Sequence, residues 1–501
     1  MRPIIDRRDR TAAPKPRARA AALGAALAIA LAPHAATGQP APPAAAAQDA
    51  RAREELAYAY ALQAYVFTFP LIITERERLR RERLTAPTPG EPAAPINQLG
   101  HMSWLAGARG DLPYSPNSDT VYTGVALDLS GGPIILRMPE IRDRYVSVQV
   151  TDAYIENQPY LYSTRVNGGR ATDIAFVGPG WTGDLPAGVV AARMPTNLSS
   201  IAVRIAVNGE ADLPAVRRYQ AAMSLTALAD WRGGPSSAPP PAPAPRARTT
   251  YSGDFAYFRT VADLMAENPP PARHVGMLAM MRRIGLVPGK PFDPERLDPA
   301  TRAGVLRAER EGPGIIDLIR RTRGTPTATG WTANRSAAAN DFDYPTRAGN
   351  ALVGLMGNDP EEALYFNNFF GSDGQALGGG RAYRLHFPAD ALPQTDALGF
   401  WSLTLYDARR FQFVENPIGR YAIGSRDSLL RNPDGSIDIY VQPQDPGGQA
   451  SRNWLPSPAT GDFKLTLRIY MPTAPMVAAY RQSTLPVPPV IPVDAGRSRT
   501  D

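Results

Sequence analysis

The densest run of side chains able to do acid–base or ligand chemistry is Tyr114, Ser115, Pro116, Asn117, Ser118, Asp119, Thr120, Val121 and Tyr122, which leads straight into an alternating strand pattern. Asp119 with His101 and Tyr122 would supply a carboxylate, an imidazole and a phenol for proton transfer, or for gripping sugar hydroxyls. Hydrolysis of a glycosidic bond needs two carboxylates about 5–10 Å apart, and Asp119, Asp128, Asp152 and Glu156 are the available ones. The same cluster has a purely structural use, because Asn and Asp at a strand start bond their own backbone in Asx-turns. Asn117, Arg144, Tyr145, Asp152, Trp181, Arg420 and Trp454 form the candidate ligand-binding set. Arg144-Tyr145 and Arg420-Tyr421 each precede a strand, where an arginine is usually a buried or half-buried ion-pair partner that fixes a loop. Trp181 and Trp454 lie beside turns, where an indole either closes a core or offers a stacking face.

Several chemistries lack their residues. Cys is absent, which removes thiolate nucleophiles, disulfides and Cys zinc sites. His101, His274 and His386 form no HExxH or i, i+4 pair, so no transition-metal site is expected. No cofactor is expected; an oxygen-ligand Ca²⁺ at Asn117 and Asp119 is the one metal these side chains suit. There is no GxSxG elbow and no GxGxxG after a strand, and Gly285 to Pro291 has the wrong spacing for a phosphate loop.

These residues must be positioned by two β-rich regions around a helical middle. Tyr58, Leu62, Tyr65 and Phe69 recur at helical spacing, Pro70 ends or kinks that helix, and the mixed-charge run Glu75 to Arg83 reads as a solvated face. From Val121 to Val207 the period becomes two, with Gly131-Gly132-Pro133, Asn167-Gly168-Gly169 and Gly178-Pro179-Gly180 as turns. Helices are expected from Asp254 to Arg320, and again at Asp359-Pro360-Glu361-Glu362 from its N-cap and N1 proline. Alternation returns at Tyr383, at Trp401, at Ile437 and at Phe463, with a hairpin turn at Asn432-Pro433-Asp434-Gly435. The expected class is α+β, mainly β: two β-sandwich, jelly-roll-like domains with a helical N-terminal segment and a helical middle.

The start of the chain reads as an address. A basic stretch through Arg19, an apolar run from Ala20 to Ala32 and small residues to Gly38 match a secretory signal peptide. The resulting division is 1–38 signal peptide, 39–50 disordered Ala/Pro linker, 51–232 helix and first β domain, 233–250 Pro-rich loop, 251–378 helical region, 379–490 second β domain, and 491–501 tail. No later segment offers about 20 consecutive apolar residues, so a soluble periplasmic or secreted protein with no retained membrane anchor is expected. The formal charge of +7 invites a nucleic-acid reading. Yet 1–38 holds seven basic and two acidic residues, so +5 of it leaves with the signal and nucleic acid is not an expected partner.

Asn97, His101, Pro116-Asn117-Ser118-Asp119-Thr120-Val121-Tyr122, Asp128-Leu129, Arg144-Tyr145, Asp152 and Gly178-Pro179-Gly180-Trp181 resemble the domain of unknown function 1254. The run Phe400 to Asp407, with Asn416-Pro417, Arg420-Tyr421, Asn453-Trp454-Leu455-Pro456 and Arg468-Ile469-Tyr470-Met471-Pro472, resembles its companion, the domain of unknown function 1214. That resemblance implies two jelly-roll β-sandwiches in an often exported protein and assigns no activity. Two readings stand side by side. One is a hydrolase-like enzyme acting on a glycan or polyhydroxylated compound. The other is a non-catalytic β-sandwich module of the cell envelope that binds ligand or assembles as a homo-oligomer.

Overall fold

Alternation of apolar and polar side chains puts the two kinds on opposite faces of a strand, and in the computed structural model this pattern builds two pairs of sheets. The structure describes residues 43–108, 115–236, 239–240, 248–333, 342–353 and 356–493, and from Asp49 onward the chain forms one compact body. The expected signal peptide lies outside the described residues, as does most of the Pro-rich stretch after Ser236.

In the first β region, β1 (Gly100–His101), β2 (Thr120–Asp128), β3 (Ile134–Met138), β4 (Val146–Asp152), β5 (Thr172–Val177), β6 (Val190–Arg193), β7 (Leu198–Ala206) and β8 (Ser224–Ala227) make two sheets. Their orders are β1-β2-β7-β4 and β6-β5-β3-β8. Val121, Val148 and Val203 of one sheet join Leu136, Phe176 and Leu225 of the other in a single apolar cluster.

The second region repeats the plan. It uses β9 (Thr325–Pro326), β10 (Thr332–Ala333), β11 (Ala363–Asn368), β12 (Ala382–Phe387), β13 (Thr395–Asp407), β14 (Ala422–Gly424), β15 (Ile437–Gln442), β16 (Trp454–Pro456), β17 (Phe463–Pro472) and β18 (Ile491–Val493). A six-stranded sheet, β14-β13-β17-β11-β10-β9, and a four-stranded one, β16-β15-β12-β18, share a cluster that includes Leu403, Leu465, Leu385 and Ile439. The helices are α1 (Pro43–Glu82), α2 (Thr164–Asn167), α3 (Leu213–Ala221), α4 (Ala256–Glu267), α5 (Val275–Arg283), α6 (Pro299–Thr322), α7 (Tyr344–Leu352) and α8 (Ala474–Gln482). The architecture is mixed α and β in four sheets, with no closed barrel among the described residues.

Several expectations are corrected. α1 starts at Pro43, inside the stretch read as an extended linker, because alanine has the highest helix propensity and proline suits a first turn. It also runs through Pro70 rather than ending there. Its most buried face is Ala57, Ala61, Ala64, Phe67 and Leu71 rather than the aromatic stripe, of which Tyr65 alone is buried. Small residues there admit α6 closely: a Cβ on Gly304 would lie 2.3 Å from the Glu54 carbonyl oxygen. α1 is long and apolar enough to cross a bilayer by length and composition, although half of its most apolar window is buried within the protein.

The charged run is not simply a solvated face, since Glu75, Arg78 and Arg81 are buried. Arg78 binds Glu75 at 2.7 Å, and Arg248 reaches Glu75 from outside the helix at 2.9 Å. Asp359 to Glu362 is a turn leading into β11, where pairing with β17 overrides the capping signal. The Asn432–Gly435 turn forms, but it joins β14 and β15, which pair with different strands. The second β region begins at β9, well before residue 379, so the helical middle is shorter than expected.

Candidate functional site

The polar alternates of the central strands do not face solvent. On β17, Phe463, Leu465, Leu467 and Ile469 enter the apolar cluster, while Lys464, Thr466, Arg468 and Tyr470 point the other way and are equally buried. On β7, Val203 and Ile205 are core and Arg204, between them, is buried on the opposite face. The polar face of β1-β2-β7-β4 and that of the six-stranded sheet are tied across their meeting plane. Asn117 Nδ2 donates to Tyr470 Oη at 2.6 Å, Ser402 Oγ donates to Asp119 Oδ2 at 2.5 Å, and Arg426 Nη2 donates to Asp119 Oδ1 at 2.7 Å.

Between these faces lies a cavity of about 530 Å³, within the range of small-molecule sites. Arg204, Arg323, Lys464 and Arg468 line it, together with Tyr122, Tyr365 and Tyr470, and Phe369, Phe370 and Phe411 give it an apolar flank. Among the described residues no Asp or Glu lines it. Arg320 and Arg321, also on its wall, pair with Asp317 at 2.7 and 2.9 Å. Among the described residues the other four cations have no carboxylate in ion-pair range, and neutral groups hold them instead. Arg204 donates to Gln149 Oε1 at 2.6 Å and to the Met356 carbonyl at 2.6 Å. Arg468 donates to Thr404 Oγ1 at 3.0 Å and to the Ser115 carbonyl at 3.3 Å. Lys464 Nζ reaches Ser115 Oγ at 2.7 Å, and Arg323 Nε donates to Asn350 Oδ1 at 2.8 Å.

This crowding of positive charge perturbs the titrating groups. Burial, then Arg468 and Arg323, push the Lys464 ammonium well below its ordinary value. Burial and Arg320 bring Arg323 down to about 10. Burial alone would raise the Tyr122 phenol, but Arg204, the Asn117 hydrogen bond and Arg468 outweigh it and lower it. The Arg204 guanidinium lies 5.4 Å from the Tyr122 ring centre.

Of the residues singled out by sequence, Asn117 and Tyr122 reach this cavity. Asn117 makes the expected Asx-turn, its Oδ1 accepting from the Asp119 N–H at 2.7 Å, and its amide points to the cavity. Asp119 is buried in the lock to Arg426 and Ser402, so both carboxylate oxygens are engaged by protein donors. His101 sits on β1 with Nδ1 2.8 Å from Thr123 Oγ1, and burial lowers its pKa. Neither His101 nor Asp119 is on the cavity wall. Arg144 pairs with Asp143 and Asp212, and Tyr145 is buried with its hydroxyl on Ser147. Arg420 donates to the Trp454 carbonyl at 2.8 Å, while the Trp454 indole is buried and bonds the Gln442 carbonyl. Trp181 belongs to a small cluster with Trp231, away from the cavity.

Asp152 lies in a separate buried cluster. Its Oδ1 accepts from the N–H groups of Tyr154 and Glu156, its Oδ2 has no partner, and burial followed by the Glu156 charge pushes its carboxyl up to about 7. Glu156 beside it is bound by Arg347, Arg273 and His274. Among the described residues no group of three or more His, Cys, Asp or Glu is placed to hold a metal.

Arg204, Arg323, Lys464 and Arg468 are wall residues that sequence reasoning missed, while Ser115 belongs to the polar run it singled out. The available signal was the polar alternate set of β17, which carries one of only three lysines in an arginine-rich chain.

No curated protein matches the chain in sequence. The VPA0106 protein from Vibrio parahaemolyticus is 20% identical over 87% of this chain and 100% of its own, with a TM-score of 0.66, a likeness of fold alone. An uncharacterized protein from Burkholderia cenocepacia is 14% identical over 92% of each chain with a TM-score of 0.39. Residues 96–227 match the family described as protein of unknown function (DUF1254), and residues 362–474 match protein of unknown function (DUF1214). The cavity draws Asn117, Tyr122 and Arg204 from the first span and Tyr365, Lys464, Arg468 and Tyr470 from the second. The chain thus carries a DUF1254 region followed by a DUF1214 region, and the site is composed of both.

Proposed function

We propose that the protein binds a small anionic molecule, one bearing carboxylate, phosphate or sulfate groups on an apolar body, between the polar faces of the two β regions. What carries this reading is unmatched charge: Arg204, Arg323 and Arg468 line a cavity that, among the described residues, has no carboxylate on its wall. Taking a cation out of water costs several kcal/mol unless an opposite charge repays it, so an anion from solution is the missing partner. The tyrosines and asparagines add donors, and Phe369, Phe370 and Phe411 suit a hydrocarbon or aromatic part of the ligand.

A neutral glycan is less well served. The paired-carboxylate chemistry finds no carboxylate on this wall, and the Trp454 ring is packed in the interior. In each region two sheets share one apolar cluster, which supports the β-sandwich reading of both. The leader pattern of residues 1–38 supports export to the periplasm or beyond, where such a ligand would be met.

Calorimetric titration with inorganic phosphate, sulfate, an aliphatic dicarboxylate, an aromatic carboxylate and a neutral oligosaccharide tests the reading. Saturable binding by at least one organic anion, weakened by salt, is expected. Binding by the oligosaccharide and by no anion would overturn it.

A further inference from the structure

Ser115 and Lys464 are 349 residues apart in sequence, yet Lys464 Nζ lies 2.7 Å from Ser115 Oγ on the cavity wall. Neither is arranged as an ordinary structural pair. Ser115 is a non-glycine residue at φ 53, in the left-handed region. Such strain persists only where the surroundings impose it, and it concentrates at functional positions. Here those surroundings are its N–H on the Phe411 carbonyl at 2.8 Å, its carbonyl under Arg468 and its hydroxyl on Lys464. Lys464 is 5% exposed, has no carboxylate partner among the described residues, and is enclosed by the rings of Phe411, Tyr406 and Phe369.

We propose that Ser115 and Lys464 form a serine–lysine acyl-transfer pair acting on a carboxylic ester that itself carries an anionic group. The chemistry requires a hydroxyl within hydrogen-bond reach of a base that is neutral at working pH. Burial beside Arg468 and Arg323 depresses the Lys464 ammonium in the needed direction. In the first half-reaction Ser115 Oγ bonds to the ester carbonyl carbon while its proton passes to Nζ. The carbon–oxygen bond to the alcohol then breaks, and the leaving oxygen takes that proton from Nζ. In the second, water adds to the acyl-serine, gives a proton to Nζ, and the Oγ–carbon bond breaks with the proton returning to Oγ. The sum is ester plus water giving acid plus alcohol. Arg204 and Arg468, on the same wall, supply positive charge for the ester's anionic group and the transient oxyanion.

The proposal rests on the anion-site reading only for the charge of the substrate, and the test separates the two. The full chain is treated with a small neutral alkyl fluorophosphonate and analysed by peptide mass spectrometry. Separately, it is assayed on mono-p-nitrophenyl succinate against p-nitrophenyl acetate. A single adduct on Ser115 is expected, abolished in Ser115→Ala and slowed by roughly 10²–10⁴-fold in Lys464→Met. Lys464→Arg, which keeps a basic side chain but cannot release its proton, should be slowed equally if Lys464→Met folds poorly. Absence of label in folded wild type that still binds anions, or equal labelling of wild type and Ser115→Ala, overturns the pair and leaves the anion site standing. Labelling at Ser115 with no preference for the anionic ester keeps the pair and overturns the anion site.

Discussion

Replacing Arg468 by methionine separates a binding role from a structural one, because the two make opposite predictions for the ligand-free protein. The guanidinium holds Thr404 Oγ1 at 3.0 Å and the Ser115 carbonyl at 3.3 Å. Leaving buried acceptors unsatisfied costs about 1–3 kcal/mol. Against this, an apolar side chain of similar length is spared the desolvation penalty of a buried ion, which amounts to several kcal/mol. These terms offset, so the melting temperature of ligand-free Arg468→Met should stay near that of wild type. Anion binding has no such compensation. A hydrogen bond to a charged group is worth about 1.5–3 kcal/mol, so the affinity should fall by roughly 10- to 150-fold. A ligand at 100 times its Kd adds about 2.7 kcal/mol to stability. For a body of this length, at about 2.1 cal/mol/K per residue, that is a rise of about 3 °C in wild type, and it should shrink to about 1.5 °C or less in the variant at the same concentration. Arg310, 66% exposed and paired with Asp254, provides the control, since Arg310→Met should retain the shift. An Arg468→Met protein that binds anions as tightly as wild type would refute the charge argument. One that unfolds with no change in the affinity of its folded fraction would show Arg468 to be structural.

Three further outcomes follow from the same geometry. Asp152 has its folded pKa raised to about 7 by burial and then Glu156, above its ordinary value of 3.8, so the folded state holds a proton that the unfolded chain releases. Stability from this group is therefore complete below the unfolded value and is lost as pH rises toward 7, at up to about 1.4 kcal/mol per unit. Asp152→Asn should flatten that part of the profile, matching wild type at pH near 4 and exceeding it at pH near 7 in thermal melts; a parallel profile would count against it. Tyr122, lowered by Arg204 and Asn117 against the effect of burial, should be the earliest tyrosine to ionise in an ultraviolet titration, and Tyr122→Phe should remove that first step. Gly304→Ala should destabilise by about 1–3 kcal/mol by forcing a methyl against backbone, because its Cβ would meet the Glu54 carbonyl oxygen at 2.3 Å and the Tyr58 nitrogen at 2.7 Å. A denaturant midpoint equal to wild type would show that α1 and α6 can move apart without cost.

Alternation is enough to find the long central strands and to sort them into two faces, but not β9, β10 or β11, which lie in the stretch read as helical. Phe463, Leu465, Leu467 and Ile469 could be grouped without coordinates, as could Val121, Val125 and Leu127. Turn chemistry likewise pointed to Asn117, whose Asx-turn sets the start of β2 and whose amide reaches Tyr470. The periodicity could not say what the second face of a strand meets. A polar alternate set ordinarily means solvent, and Lys464, Thr466, Arg468 and Tyr470 fit that rule by type while breaking it by burial. Their partners Ser115 and Asn117 come from the loop that leads into β2, hundreds of residues earlier. Only the closing of one β region on the other brings them together. The same limit explains Asp119: its carboxylate was rightly placed beside a strand start, but its role is set by Arg426 and Ser402, 307 and 283 residues away.

Net charge misleads for a related reason. The chain carries +7, most of it in residues 1–38, and what remains is close to neutral. A near-neutral sum reads as the absence of an electrostatic partner, but it is an average over pairs that cancel locally. Arg137 with Asp173, Arg144 with Asp212 and Arg307 with Glu55 each contribute nothing to the total and little to any field beyond a Debye length of about 8 Å. Arg204, Arg323 and Arg468 form no ion pair among the described residues, in a cavity where low dielectric magnifies what they do. The quantity that speaks to function is therefore the charge left over after every ion pair has been assigned, taken cavity by cavity. By that measure a nearly neutral protein presents a concentrated positive site.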